Sequence, residues 1–297
     1  MNNKDIINLL ENKINIPEEK FFCSIIGSNP SKGARSPLLW NTTFEKMGLD
    51  IKMIPFDCNE NHIKKLLQAL EKNDFYIGGA IAAPFKEHVF NWLGENITEK
   101  SRKIGAVNCI FKENNKLIGT NTDGEAGGIS IKKKFGQLNN KNVVILGSGG
   151  TAKAIAAYLV PELIPNGKLT IVGRDFEKLQ FHKSYKNTQA ILWRDIDKKL
   201  NEFELIINCT SIGWDNQSTK SPISENLIKL LPNKLKIFDV IYDPNPTLLL
   251  SYAKNVGLDV LNGLSMNLEQ AVLAYAKVNN MPENLEQIRN HMLSAKK

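Results

Sequence analysis

The sequence predicts an α/β fold of two domains, the second a doubly wound nucleotide-binding domain. Three observations predict it. Short β-rich runs alternate with helical patterns along most of the chain, the order that builds a mostly parallel sheet covered by helices. One run, NVVIL at residues 142–146, passes directly into Gly147-Ser148-Gly149-Gly150-Thr151-Ala152 and then into an Ala-rich helical stretch. The length, 297 residues, exceeds that of an ordinary single domain.

Taken in order, FFCSIIG (21–27) reads as a buried strand. SPLLWNTTFEKMG (36–48) reads as a helix, with Ser36 as N-cap, Pro37 at the first position and Gly48 at the stop. IKMIPF (51–56) is a second strand, NHIKKLLQALEK (61–72) a second helix, and YIGGAIAA (76–83) a third strand ended by Pro84. Gly124, Gly127 and Gly128 cluster beside the stretch 121–127, which is the expected linker. The second half repeats the alternation. Its strands are NVVIL (142–146), LTIV (169–172), AIL (190–192), ELIIN (204–208), KIFDVI (236–241) and DVL (259–261), with helical patterns between most of them. After Gly263 the pattern is helical to the end, a tail able to pack back on the first domain.

Composition narrows the function. Hydrophobic residues are 42% and charged residues 23% of the chain, ordinary globular values that exclude collagen, coiled coil and wholesale disorder. No apolar run approaches the roughly 20 residues that cross a bilayer. The opening MNNKDIINLLENK lacks the apolar core of a signal peptide, so a cytoplasmic location without a membrane partner is expected. Cys23, Cys58, Cys109 and Cys209 have no metal-knuckle spacing, and His62, His88, His182 and His291 are scattered. Reduced thiols and no metal site are the expectation. The net charge of +7 is spread out, its longest basic run being Lys132–Lys134. That excludes a nucleic-acid arm and favours a small anionic ligand.

The turn after residue 146 has the spacing G-x-G-x-x-A. Gly147 permits a tight turn, Gly149 lets backbone approach a pyrophosphate, and Ala152 allows the helix to pack closely on the strand. Free N–H groups at the helix start, among Ser148, Gly150 and Thr151, then hold anionic oxygens. The end of the next strand reads the cofactor. It carries Gly173, Arg174 and Asp175, with Lys178 one turn on. An acidic residue there bonds the ribose hydroxyls of NAD, whereas an Arg clamps the 2′-phosphate of NADP. The two cations favour NADP, and Asp175 leaves NAD open.

Three stretches of the first half are too particular for packing alone: APFKE (83–87), GAVNCI (105–110) and GTNTDGEAGG (119–128). Lys86 follows a strand, Asn108 precedes one, and Asp123 stands in a polar turn. A Lys and an Asp held together move a proton at a hydroxyl while a hydride leaves the same carbon. Alone, Lys86 would read as a surface lysine and Asp123 as a turn former.

They do not stand alone. Ser36-Pro37, Pro84-Phe85-Lys86, Gly105–Asn108 and Asn121–Gly124 occur in that order, followed by the glycine turn and Gly173-Arg174. Asn208–Gly213 (NCTSIG), Asp239–Pro244 (DVIYDP), Thr247 with Leu250, and Gly263–Ala271 (GLSMNLEQA) complete the series. In this the chain resembles the shikimate/quinate dehydrogenase family over nearly its whole length. The resemblance implies a split substrate domain, residues 1–123 with 264–297, and an NADP-binding Rossmann domain, 124–263, with the active cleft between them. It implies reduction of 3-dehydroshikimate to shikimate, with Lys86 and Asp123 as the proton-transfer pair. Ser36, Asn108, Tyr242 and Gln270 are then substrate contacts. Thr210, Ser211, Gly213, Gly263 and Met266 lie on the cofactor side. A small anionic cyclic substrate and a monomer or homodimer follow.

The departures fall in the substrate pocket. The family pattern S-x-S-P is here Ala34-Arg35-Ser36-Pro37, and N-V-T-x-P-F-K is Ala80-Ile81-Ala82-Ala83-Pro84-Phe85-Lys86. The usual H-N is Trp40-Asn41. Each missing hydroxyl removes a hydrogen bond to a charged group, worth roughly 1.5–3 kcal/mol. Arg35 either replaces them by holding a carboxylate or is a surface residue. The alternatives are a changed substrate, such as quinate, aminoshikimate or another cyclic hydroxy acid, and a nucleotide-binding regulator without the reaction.

Overall fold

The computed structural model describes residues 3–296. They form two compact units. One takes residues up to Thr122 and resumes at Leu268; the other is Asp123–Asn267.

In the first unit, α1 (Asn3–Ile7) is followed by β1 (Phe22–Gly27), α2 (Ser36–Lys46), β2 (Lys52–Asp57), α3 (Ile63–Glu71), β3 (Tyr76–Ile81), α4 (Lys86–Leu93), α5 (Glu99–Ile104), β4 (Cys109–Glu113) and β5 (Lys116–Thr120). The sheet order is β2-β1-β3-β4-β5. β1 pairs parallel with β2 and β3, whereas β4 pairs antiparallel with both β3 and β5. β1 is buried along its whole length, which is why FCSIIG, apart from Ser24, reads as an apolar run rather than an alternating one. One face packs Phe22, Phe56, Leu66, Leu70 and Tyr76 beneath α3. The other packs Cys23, Leu39, Trp40, Phe44 and Met53 against Ala271, Tyr275 and Ile288 of the C-terminal helices. Trp40 and Tyr275 meet edge to face at 5.2 Å. Asn41 pairs with the backbone of Met53 in both directions, at 2.7 and 3.0 Å, and so ties α2 to the edge strand.

The second unit runs α6 (Asp123–Phe135), β6 (Asn142–Leu146), α7 (Gly150–Leu163), β7 (Lys168–Gly173), β8 (Thr188–Leu192), β9 (Leu205–Asn208), α8 (Glu225–Ile228), β10 (Lys236–Asp239), α9 (Leu248–Asn255) and β11 (Asp259–Leu261). α10 (Gly263–Val278) begins in this unit and ends in the first, which α11 (Leu285–Leu293) completes. All six strands are parallel in the order β11-β10-β9-β6-β7-β8. That order reverses at β6, the topological switch point at which open α/β sheets form their ligand crevice.

Two expectations are corrected. The chain does pass between the units within 121–127, but the crossing is not a glycine loop: Asp123 is the first residue of α6 and all three glycines lie within that helix. Their smallness serves packing. A Cβ on Gly124 would stand 2.2 Å from the Ala154 carbonyl oxygen, and one on Gly128 1.9 Å from the Tyr158 ring. The glycines thus let α6 seat directly on α7. Ser36 is not an N-cap either. Arg35 already has helical backbone angles and its carbonyl accepts the Leu39 N–H, so Ser36 lies inside the first turn and no side chain caps it.

Candidate functional site

In the second unit the site grows from the glycine turn. Gly147 has φ +118°, a conformation that L side chains rarely adopt, and a Cβ there would press on the Cys209 carbonyl oxygen at 3.0 Å. The chain therefore turns sharply out of β6. At Gly149 the situation is opposite: a Cβ would meet nothing within 4 Å, so the backbone is open to approach. α7 starts at Gly150 with no acidic residue in its first turn, and Ala152 is fully buried against the sheet. The first-turn N–H groups, which a helix leaves without partners inside itself, and the positive end of a 14-residue helix begin at this turn. These residues fit the pyrophosphate of a dinucleotide.

Beyond β7, Arg174, Asp175 and Lys178 are all exposed. Asp175 accepts the Glu177 N–H at 2.9 Å, which opens the short helical turn that follows. Ser148 lies beside Gly173 at the same end of the sheet. After β9, Thr210 packs on Gly147, Ser211 is exposed, and Gly213 is buried at φ +107°. After β10, Tyr242 is half-buried. Gly263 and Met266 are buried in the first turns of α10, with Met266 beside Gly127 of α6.

Asp123 is buried at the N-terminus of α6, where the helix dipole favours a carboxylate. Its charge reaches the end of β9. Burial raises the Cys209 thiol, and Asp239 and then Asp123 raise it further. Asp239 closes β10, is completely buried, and has its own pKa pushed up to about 6 by that burial, against three hydrogen bonds that lower it.

In the first unit, Lys86 opens α4 directly after the Ala82-Ala83-Pro84-Phe85 turn and is half-buried, its carbonyl accepting the Val107 N–H. Asn108 is buried. It donates to Thr122 Oγ1 at 3.0 Å and accepts the Thr122 N–H at 2.8 Å. Thr122 in turn donates to the backbone oxygen of Gln270, itself half-buried, at 3.3 Å, and Asn121 donates to Ala106 at 3.0 Å. The GAVN and NTDG stretches and the middle of α10 are thus clasped together. Ser36 is buried and Arg35 half-buried. The loop before them is pinned by the buried Asp57, which accepts both the N–H and the hydroxyl of Ser31. Ala80 belongs to the Trp40–Phe44–Tyr275 cluster, and Ala34 and Ala82 pack against it, so apolar contact occupies what the motif would make polar.

Sequence reasoning assigned no role to Asp57, Asn208, Asp239 or Thr247. The available signal was a polar residue terminating an otherwise apolar strand: KMIPFD, LIIN and KIFD. Among the described residues no group of three His, Cys, Asp or Glu side chains is placed to hold a metal ion, and no helix is long and apolar enough to cross a membrane.

Fold and turn together define a two-domain α/β protein whose second domain is built to bind a dinucleotide. Comparison with known proteins makes this more specific. The model of the shikimate dehydrogenase substrate binding domain matches residues 25–110, and that of shikimate/quinate 5-dehydrogenase matches residues 130–238. A shikimate dehydrogenase (NADP(+)) of Alkaliphilus oremlandii is 32% identical over 88% of this chain and 92% of its own. One of Methanococcus maripaludis is 30% identical over 83% and 87%. A crystal structure of shikimate dehydrogenase in complex with NADP+ superposes with a TM-score of 0.82 at 27% identity, covering 95% of this chain and 98% of the other. The chain belongs to the shikimate/quinate dehydrogenase family of oxidoreductases.

Proposed function

We propose that this protein is an NADP-dependent shikimate dehydrogenase that interconverts 3-dehydroshikimate and shikimate, with Lys86 and Asp123 as its proton-transfer pair. The observation that carries the reading is the clasp of the GAVN and NTDG stretches. Asn108 and Thr122 are locked to each other, which fixes Asp123 as the next residue and first of its helix.

NADP, when bound, supplies or accepts the hydride at the carbon being reduced or oxidised. The glycine turn holds its pyrophosphate, while Arg174 and Lys178 hold the 2′-phosphate. Asp175 supports this choice, since its carboxylate serves the backbone of Glu177. In the direction of reduction the Lys86 ammonium gives a proton to the ketone oxygen. In oxidation the neutral amine takes the hydroxyl proton. Asp123 is the acidic partner of the pair. Asn108, Tyr242 and Gln270 address the ring hydroxyls, and Ser36 with Arg35 the carboxylate, where a guanidinium can bind in bidentate fashion. The reading includes action in the cytoplasm as a monomer or homodimer, the latter to be read by light scattering.

The test is a steady-state assay with shikimate and NADP, run beside quinate and NAD. Turnover with shikimate and NADP is expected. Efficient turnover of quinate with shikimate inert would transfer the reading to a changed substrate, which Ala34, Ala80 and Ala82 favour. Cofactor binding without turnover of any cyclic hydroxy acid would sink the catalytic reading altogether.

A further inference from the structure

The glycine turn is not held by its own strand alone. The next segment over, after β9, forms one of its walls: a Cβ on Gly147 would meet Cys209 O at 3.0 Å and Thr210 Cγ2 at 3.4 Å. Thr210 is itself fixed by Asn208, whose Oδ1 accepts the Thr210 N–H at 3.1 Å and its hydroxyl at 2.7 Å. The Asn208 amide cannot turn away, because its Nδ2 donates to Ile212 O at 3.2 Å and to Asp239 Oδ1 at 3.0 Å. Asp239 closes the neighbouring strand. It also accepts the Ile241 N–H at 3.1 Å and the Thr247 hydroxyl at 2.7 Å. Thr247 is the N-cap of α9, where its Oγ1 accepts the Leu250 N–H. Asn208, Asp239 and Thr247 are all completely buried.

An N-cap alone needs no carboxylate behind it, and a buried carboxylate reached by neutral donors is costly unless they hold it well. A core could be filled here by apolar residues with no such cost. The network has a direction instead: it leads from the start of α9, through the ends of two adjacent strands, to the phosphate-binding turn. Ile241, fixed by Asp239, also accepts the Gly263 N–H at 3.0 Å and so sets the start of α10.

We propose that Thr247, Asp239 and Asn208 form a positioning relay that holds the Thr210–Gly213 segment against the glycine turn, so that cofactor affinity depends on a helix cap several residues outside the cofactor site. None of the three is a catalytic residue; each acts through the next. The proposal rests on the reading of this unit as the NADP site.

The experiment is direct titration of NADPH, by its fluorescence, into the parent and into Thr247→Val and Thr247→Ser, with kcat at saturating cofactor and a thermal melt for each. Valine keeps the shape and removes the hydroxyl; serine restores it. The expected result is a Kd for NADPH raised about tenfold in Thr247→Val, the size of one lost hydrogen bond to a charged group, with kcat changed less than about threefold. Thr247→Ser returns Kd to within about twofold of the parent. A folded Thr247→Val protein with parental NADPH affinity overturns the proposal. So does a loss that appears in kcat alone, or one that serine fails to rescue. Where Thr247→Val does not fold, Asp239→Asn is read in the same way, since it keeps the shape and removes the charge. If it too fails to fold, the network is a core element and not a positioning device, which also overturns the proposal. A parent that binds NADPH but leaves shikimate untouched breaks the functional reading while the relay test stands. A parent that binds neither NADPH nor NADH breaks both.

Discussion

The two sheets solve different problems with similar parts. The sheet of the second unit is wholly parallel, and β6, β9 and β10 are almost entirely buried apolar runs ending in a polar residue or a glycine turn. The sheet of the first unit is parallel only through β2, β1 and β3, then finishes with the antiparallel β4–β5 hairpin. The consequence lies at the strand ends. In the second unit a buried carboxylate, Asp239, ties two post-strand segments together. In the first, the neutral pair Asn108 and Thr122 does so. A neutral clasp is insensitive to pH, whereas a buried carboxylate is not, so these two clasps are expected to respond differently to the same perturbations.

The largest expected separation comes from Lys86→Ala. Removal of a general acid–base group costs about 10²- to 10⁴-fold in kcat. NADPH affinity is expected to stay within about twofold, because the proposed role of Lys86 is proton transfer and not cofactor binding. Retained turnover would remove Lys86 from its proposed role.

Next is the packing of α6 on α7. Gly124→Ala places a methyl against the backbone oxygen of Ala154, which cannot move without its helix, and is expected to cost about 3 kcal/mol of stability. Gly128→Ala meets the ring of Tyr158 instead, and a second change, Tyr158→Ala, is expected to relieve it in part while leaving Gly124→Ala uncorrected. Denaturant unfolding of the four variants decides this; equal rescue of both would mean that the helices slide apart freely.

The pH dependence of stability is of similar size. Burial holds the folded Asp239 carboxyl at about 6, against its ordinary 3.8. The folded state therefore keeps its proton more tightly than the unfolded chain. The stabilisation this gives is complete below about pH 4 and is lost as pH rises through about 6, a change of about 3 kcal/mol. The groups that bond it, Thr247, the Ile241 N–H and Asn208, do not titrate. Unfolding measured from pH 4 to 8 is expected to lose this component in Asp239→Asn and to keep it in Asn108→Ala. An unchanged profile in Asp239→Asn would place the titration elsewhere.

The smallest effect concerns cofactor choice. Arg174→Ala is expected to lower the preference for NADP over NAD by about tenfold, the loss of one charge-assisted contact. It is expected to leave stability unchanged, since the side chain is exposed. An unaltered ratio of kcat/KM values would move the 2′-phosphate contact to another cation, such as Lys178.

Legibility followed the same division. NVVIL was readable to the residue, because a strand buried on both faces is apolar throughout and the glycine turn after it has a mechanical spacing. The β4–β5 hairpin was harder to see. Its two-residue connection is Asn114-Asn115, both with positive φ, flanked by CIFKE and KLIGT, whose charged ends blur the strand pattern. The glycines of α6 stand where the chain passes between the units, yet they look like a loop and not a helix for a related reason. Gly lowers helix propensity whatever its purpose, and only a partner helix reveals that the missing side chain is space for a neighbour.

What the sequence determined by itself was local and chemical: alternating strands and helices, a phosphate-binding turn with its cations one strand on, and a Lys and Asp set in motifs that point to one oxidoreductase family. Each is carried by residues adjacent in the chain, where steric and hydrogen-bonding rules act within a few positions. Tertiary structure decided what depends on distant residues meeting. Trp40 and the three alanines share an apolar cluster with Tyr275, Asn108 is locked to Thr122, and Thr247, Asp239, Asn208 and Thr210 form one line of buried bonds. A buried polar group gains or loses several kcal/mol according to whether its partner is in place, and that partner can come from any part of the chain.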